Sequence, residues 1–288
     1  MTRFLYIADT HLGADPMGFQ QQKGYPEMLP EILAALRDNP TFRHGIDFVL
    51  HGGDMIDATS EEHILAAART FDLAVPVYLC LGNHDLTAPD AVDQWLSLAP
   101  QFFRDGSPNY TIASGDCVIH VAPNHWGETP FYWDGSQSPH LRPGQLDQLS
   151  HELRAGPGVP RIILTHSPVH GLPQAQTGLA DPYHSPGEMF GEQVTTFAAG
   201  HENAWCVLGA HNHLNMCINR GGTEFVTVSS LVEAPFEFKL FEVSPERMVM
   251  TTVSLAPDLA FDHIYDASKS FVQGRDIDRC FTREPATA

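Results

Sequence analysis

Short apolar runs that stop abruptly at polar residues dominate the pattern of this chain. Runs of five to seven residues that are rich in β-branched and aromatic side chains predict buried strands. Apolar residues at helical spacing follow the first of them, as at Leu29, Ile32 and Leu36. The five strands that matter most are Phe4–Ala8, Ile46–Leu50, Val75–Leu81, Arg161–Thr165 and Ala204–Leu208.

The second half of the chain adds shorter alternating segments, which predict antiparallel strands joined by turns. Strands alternate with helices early and with hairpins late, so the fold class is α/β. We find no internal repeat and no linker. The sequence therefore predicts one domain over residues 1–256 and a tail at 257–288. The tail packs either on the body or on a neighbouring subunit. The second alternative would make the protein a homodimer or a higher homo-oligomer.

The charge of the chain restricts its partners. Sixteen Lys and Arg stand against 35 Asp and Glu, which gives a net charge of −19. Long polyanions are bound by clustered Lys and Arg, so nucleic acid is disfavoured as a partner. A hydrophobic content of 43% is ample for a sizeable core. These features favour a globular protein whose partners are not long polyanions.

The five cysteines are odd in number and show no CxxC spacing, which indicates reduced thiols in a reducing compartment. Met1 leads directly into the first predicted strand without a charged and then apolar leader. No run of about 18 apolar residues is present, so we expect no membrane span. We expect a cytoplasmic protein.

Polar side chains follow each of the five predicted strands. Asp9 and His11 follow the first strand, and Asp54 follows the second after a pair of glycines. The turn Gly82-Asn83-His84-Asp85 follows the third, where we assign to the glycine a sharp change of chain direction. The last two strands are followed by His166 and by the pair His211 and His213.

These side chains form a donor set of carboxylates, an amide and imidazoles, without a thiolate. Such a set suits two divalent or trivalent ions such as manganese, iron or zinc. His84 directly follows Asn83, so both cannot easily point at the same ion, and His84 is set aside for chemistry. Seven ligands are too many for one ordinary site but fit two sites that share Asp54. Paired ions about 3.5–4 Å apart are an arrangement that hydrolyses phosphate esters. The seven ligands are Asp9, His11, Asp54, Asn83, His166, His211 and His213.

The order Asp-x-His, Gly-Asp, Gly-Asn-His-Asp, His and His-x-His resembles the calcineurin-like binuclear metallophosphoesterase superfamily over residues 9–213. The resemblance implies a four-layer α/β/β/α sandwich, in which two mixed β-sheets are flanked by helices and the metals lie at the carboxyl ends of the strands. One departure is Gly209-Ala210-His211, where many members have glycine directly before the first histidine.

The resemblance also implies a role for each residue. Asp9, His11, Asp54 and His213 would hold one metal, while Asp54, Asn83, His166 and His211 would hold the other, with a hydroxide bridging the pair. His84 matches the catalytic histidine, which contacts the phosphate and protonates the leaving oxygen. Asp85 would orient its neighbours without touching the substrate.

The size of the chain and its antiparallel end are similar to those of class III cyclic-nucleotide phosphodiesterases and their glycerophosphodiesterase-like relatives. We therefore expect a phosphodiesterase for small diesters such as 3',5'-cyclic nucleotides or glycerophosphodiesters. A phosphomonoesterase is one alternative. A nuclease is another, because Asp9–Gly13 and Asp47–Asp54 resemble the nuclease subunit of double-strand-break repair complexes. A non-catalytic scaffold on the same fold would not need the complete ligand set.

Two long loops carry further candidates for the site. Residues 123–139 hold Trp126 and Trp133 and form either an aromatic wall of the active-site cleft or a loop pinned by its own aromatic residues. Residues 169–200 form a long excursion with His170 and His184, and the sequence assigns no function to it.

Overall fold

The computed structural model describes residues 1–15, 21–155 and 158–285. Its strands, in chain order, are β1 Thr2–Ile7, β2 Phe48–His51, β3 Val77–Leu79, β4 Tyr110–Ala113, β5 Val118–Val121, β6 Arg161–Leu164, β7 Ala204–Gly209, β8 Met216–Arg220, β9 Thr223–Thr227, β10 Glu237–Ser244, β11 Arg247–Ser254 and β12 Cys280–Arg283. The five predicted strands overlap β1, β2, β3, β6 and β7, whereas β12 lies in the predicted tail, where the sequence predicts no strand.

The helices lie mainly between the parallel strands. They are α1 Leu29–Asp38, α2 Pro40–Arg43, α3 Glu61–Thr70, α4 Ala91–Leu98, α5 Pro143–Arg154, α6 Gln174–Thr177, α7 Glu188–Ala199 and α8 Asp276–Arg279. Short 3₁₀ turns occupy Pro26–Met28, His84–Leu86, Pro100–Phe102, Ala256–Asp258 and Ala267–Gln273. None of the helices among the described residues is both long and apolar enough to cross a membrane.

The strands form two mixed sheets of six strands each. The first has the order β12-β11-β10-β1-β2-β3, and the second has the order β4-β5-β6-β7-β9-β8. Strands β1, β2 and β3 are parallel neighbours, and so are β5, β6 and β7. Parallel neighbours end at the same edge of a sheet, so each sheet collects several strand ends at one place.

Alternation along the strands explains how the two sheets pack. In β6, Ile162 and Leu164 belong to the large central core that both sheets share, while Ile163 belongs to a second core. Successive side chains of a strand point to opposite faces, so the sheets face each other on one side. Helices α5 and α7 cover the other face of the second sheet through residues such as Leu149 and Val194. Helix α1 packs against the first sheet, and the predicted α/β/β/α sandwich is confirmed.

The segment after residue 256 lies against both sheets. Strand β12 pairs antiparallel with β11 at the edge of the first sheet. Asp278 of α8 accepts a hydrogen bond from the backbone N–H of Cys217 in β8, at the edge of the second sheet. The predicted division of the chain at residue 256 stays a prediction, and residues 286–288 of the predicted tail lie outside the described residues.

Candidate metal centre

The strand ends bring the predicted ligands together from two sheets. Asp9, Asp54 and Asn83 follow β1, β2 and β3, which are parallel neighbours of the first sheet. His166 and His211 follow β6 and β7, which are parallel neighbours of the second sheet. All five side chains therefore start from one end of the sandwich.

Left-handed backbone is concentrated at these residues. In the described part of the chain, nine residues other than glycine have a positive φ, and five of them are predicted ligands. This conformation is costly for residues with a side chain and persists where the surrounding structure enforces it. The strain is typical of a functional site, where it turns side chains toward a common point. The five ligands are Asp9, His11, Asp54, His211 and His213.

Two glycines make room for Asp54 and His166. A Cβ atom on Gly82 would lie 2.3 Å from Asp54 Oδ1, and one on Gly53 would lie 2.4 Å from His166 Nδ1. Gly53 also has a φ of 110°, whereas Gly82 does not adopt a left-handed conformation. The sharp turn assigned to Gly82 from the sequence stays a prediction, and the structure adds a second role for this glycine, because a side chain there would block the close approach of Asp54.

The first group of donors surrounds one point between the sheets. His11 Nε2 lies 3.2 Å from His213 Nε2 and 3.9 Å from Asp54 Oδ2. His213 Nε2 lies 3.8 Å from Asp9 Oδ1. These four side chains are buried. They are the ones that the sequence assigns to one metal.

The second group lies on the other side of Asp54. Asn83 Oδ1 is 3.1 Å from His166 Nε2 and 2.9 Å from His211 Nδ1. His166 Nε2 is also 3.3 Å from Asp54 Oδ2, the same oxygen that faces His11 in the first group. The structure thus brings all seven predicted ligands together, with Asp54 between the two groups.

The hydrogen bonds of the two buried histidines fit a pair of cations. His166 Nδ1 donates to the carbonyl oxygen of Gly52 at 2.8 Å, and His213 Nδ1 donates to the carboxylate of Glu233. The partners can only accept, so in the neutral rings each Nε2 carries a lone pair that points into its donor group. Lone pairs and carboxylates that converge in a buried site require positive charge between them. The residues present therefore fit two metal ions.

The pKa values of the metal-free chain also show that the site requires positive charge. Burial lowers the pKa of His166 and His213, but neighbouring carboxylates outweigh it and raise both to about 9. Burial raises the pKa of Asp54, but the adjacent imidazoles, His166 first, hold it well below its ordinary value. Burial dominates at His211 and lowers its pKa to about 3. When cations are absent, protons on His166 and His213 therefore balance the negative charge of the carboxylates.

His84 lies beside the two groups and has its own partner. Its Nδ1 donates to the backbone oxygen of Asp57 at 2.8 Å and lies 3.3 Å from Asp57 Oδ1. Burial opposes protonation of His84, but Asp54 and Asp57 raise its pKa to about 9. His11, Asp57 and His84 also form a third cluster that could hold an ion. An ion in this cluster would make His84 a metal ligand, which is an alternative to its predicted role as a proton donor.

Asp85 faces away from the donor groups. Its Oδ1 accepts from the backbone N–H groups of Met55 and Ile56 at 3.0 and 3.1 Å, and its Oδ2 accepts from Gly82 N at 2.9 Å. These bonds tie the loop that carries Asp54 to the turn that carries Asn83. The predicted orienting role of Asp85 would thus act on the backbone of two ligand loops.

A cavity of about 520 Å³ opens over the two groups. The aromatic loop provides one wall, since the ring of Trp133 lies 5.0 Å from His84 and that of Trp126 lies 5.2 Å from His211. The excursion after β6 provides another wall through His184, which lies within hydrogen-bond distance of Gln21. Both interpretations of residues 123–139 hold, because Trp126 and Trp133 line the cavity and the same two rings pack against the central core.

Sequence reasoning missed two residues that hold the ligands. Glu233 lies on the connection between β9 and β10 and bonds His213. Asn124 Oδ1 accepts from the backbone N–H groups of His166 and Ser167 at 3.0 and 2.7 Å. Glu233 follows no parallel strand, so no local pattern distinguishes it from an ordinary loop residue. Asn124 and His125 do follow β5, a parallel neighbour of β6, but the alternating pattern of β5 predicts an antiparallel strand.

The order of the ligands, the two mixed sheets and the shared carboxylate define a two-metal phosphoesterase. The model of the calcineurin-like phosphoesterase family matches residues 2–215, and the chain belongs to this family. The family together with the clustered donors implies a binuclear metal site.

Similar solved structures support the fold. A dimetal phosphatase from Danio rerio is 17% identical, with a TM-score of 0.64 over 88% of this chain and 96% of that chain. GAP50, described as the anchor in the inner membrane complex of Plasmodium, is 12% identical, with a TM-score of 0.58 over 92% and 88% of the two chains. At such identities the likeness shows the fold alone, and the fold is common to a phosphatase and an anchor.

The chain is also similar to one curated protein in part of its sequence. The DNA double-strand break repair protein Mre11 of Aeropyrum pernix is 26% identical over 144 residues, which make up 46% of this chain. The match spans 33% of the length of that relative.

Proposed function

We propose that the protein is a phosphodiesterase that hydrolyses small diesters, such as 3',5'-cyclic nucleotides or glycerophosphodiesters, with manganese, iron or zinc as its metals. One observation carries the proposal: two donor groups share Asp54 Oδ2 beneath a cavity that His84 also lines. When bound, a cation pair supplies Lewis acidity toward the phosphoryl group and a water nucleophile at neutral pH.

The residues of the chain supply the remaining parts of such a reaction. His84 donates Nδ1–H to Asp57, so a second proton on Nε2 makes the imidazolium form, which can protonate a departing alkoxide. His84 N also donates to Asp54 Oδ1 at 2.8 Å, which fixes the histidine relative to the shared ligand. The cavity of about 520 Å³ is of the size that small-molecule sites have.

The experiment is turnover of bis-p-nitrophenyl phosphate by protein that has been stripped with chelator and reloaded with manganese. We expect activity to vanish on chelation, to return with metal, and to exceed that on p-nitrophenyl phosphate. Glu246→Gln, which removes an exposed carboxylate, should behave like the wild type, whereas Asp54→Asn should be inactive. Faster turnover of the monoester would favour a phosphomonoesterase, and no turnover with any metal would favour a scaffold.

A DNA nuclease is the second candidate, because the partial similarity to Mre11 covers 144 residues. The net charge of −19 disfavours the binding of a phosphate backbone. Cleavage of duplex DNA by the manganese-loaded protein, lost in Asp54→Asn, would favour the nuclease over the small-diester enzyme.

A further inference from the structure

Glu233 is a buried carboxylate on the connection between β9 and β10, with 1% of its surface exposed. Two hydrogen bonds hold this connection against the strand end that carries Asp9. Ser230 Oγ donates to the backbone oxygen of Asp9 at 2.6 Å, and Leu231 N donates to that of Ala8 at 3.1 Å. The carboxylate therefore sits in a fixed place beside the metal centre.

Both oxygens of Glu233 are used. Oε1 accepts the proton of His213 Nδ1, and Oε2 accepts from the backbone N–H of Gln22 at 2.7 Å. The second bond holds the carboxylate through the oxygen that His213 does not use. A carboxylate held by two hydrogen bonds fixes the rotation of the His213 ring, and with it the direction of the lone pair on His213 Nε2.

The two donor groups differ in this respect. His166 of the second group donates its Nδ1–H to the neutral carbonyl of Gly52, whereas His213 of the first group donates to a charged carboxylate. A carboxylate partner makes the imidazole a more basic ligand than a carbonyl partner does. Among the described residues, the Glu233 side chain forms no hydrogen bond or ion pair with Asn83, His166 or His211. Its effect should therefore be confined to one of the two metals.

We propose that Glu233 is a positioning residue for the metal held by Asp9, His11 and His213. Its carboxylate raises the affinity of this site for the metal through His213. The inference rests on the two-ion centre of the proposed function but not on its substrate. If the chain hydrolyses no diester, the metal affinities still test the role of Glu233.

The experiment is metal titration of the metal-free protein by calorimetry, with manganese and then with zinc, for the wild type and Glu233→Gln. The glutamine amide cannot accept from His213 and Gln22 at the same time. We expect one of the two binding steps to weaken about 10–100-fold in E233Q, the size typical for loss of such a partner. The other step should change less than threefold, about 0.7 kcal/mol at 1.4 kcal/mol per factor of ten.

Glu237→Gln is the matched control. Glu237 is an equally buried carboxylate four residues further on, and it bonds Arg279 and Asn215 rather than a predicted ligand. E237Q should leave both binding steps unchanged. In a His213→Ala background, E233Q should weaken metal binding no further, because its effect passes through that ring.

Unchanged metal affinities in E233Q, or equal weakening of both steps, would overturn the proposal. If E233Q does not fold, Glu233→Asp provides the test, since it keeps the charge but shortens the reach. E233D should weaken the same single step, and equal effects on both steps would again contradict the selective role.

Discussion

At the scale of single residues, the space around Asp54 decides what the centre can hold. Gly82 and Gly53 leave room for the Asp54 carboxylate and for the ring of His166. The sequence predicts a turn at Gly82 but not this close approach, because spacing along the chain does not show which side chain will approach from a distant strand. The ligand types, in contrast, could be predicted, since each follows an apolar run.

His84 should be separable from the ligands by mutation. We expect His84→Ala to keep both metals and to lower kcat about 10²–10⁴-fold on diesters with poor leaving groups, because the proton donor is lost. The loss should be smaller with p-nitrophenolate, which needs little protonation to leave. Metal analysis and kcat for both substrate types check this.

Asn83→Ala is the comparison variant, since it removes the adjacent ligand and should empty one site. The general-acid role of His84 is wrong if His84→Ala empties a metal site, or if it costs the same factor for good and poor leaving groups.

Metal loading should release protons. In the metal-free chain the pKa of His166 and that of His213 are raised to about 9, so both rings hold a second proton at pH 7. A cation must displace these protons, and the metal affinity should therefore rise as the pH increases toward 9. Calorimetric titration in two buffers of different ionisation enthalpy measures the released protons. Heats that do not depend on the buffer would contradict this expectation.

At the scale of elements, the sequence predicted the strands well but not their neighbours. The predicted run Val75–Leu81 contains β3, and the predicted run Ala204–Leu208 nearly coincides with β7. Nothing in the local pattern of β10 shows that it pairs with β1, more than 200 residues earlier, because register between distant strands depends on the whole sandwich. Glu233 was missed for the same reason, since its approach to His213 depends on where β10 lies.

The C-terminal segment is held by a buried polar network that can be tested. Arg279 of α8 pairs with Glu237, whose side chain is fully buried, at 2.7 Å. Arg279→Ala should lower the free energy of unfolding by about 1–3 kcal/mol, because a buried carboxylate loses a charged partner. The metal content should stay the same.

Denaturant titration measures this effect, with Arg247→Ala as the control at an exposed arginine. A loss in Arg279→Ala as small as that in the control would show that the segment does not depend on this pair for its attachment.

At the scale of the whole molecule, charge separates the candidate substrates. With a net charge of −19, we expect cyclic nucleotides or small diesters to be cleaved much faster than duplex DNA at physiological salt. Parallel assays of a cyclic nucleotide, bis-p-nitrophenyl phosphate and linear duplex check this. Processive degradation of the duplex would reverse the ranking of diesterase and nuclease.

The central claim is that two ions lie on either side of Asp54, and an anomalous difference map from crystals grown with manganese tests it most directly. The donor groups predict two peaks about 3.5–4 Å apart. One peak should lie among Asp9, His11 and His213, and the other among Asn83, His166 and His211. A single peak, or a peak among His11, Asp57 and His84, would contradict both the paired centre and the chemical role of His84.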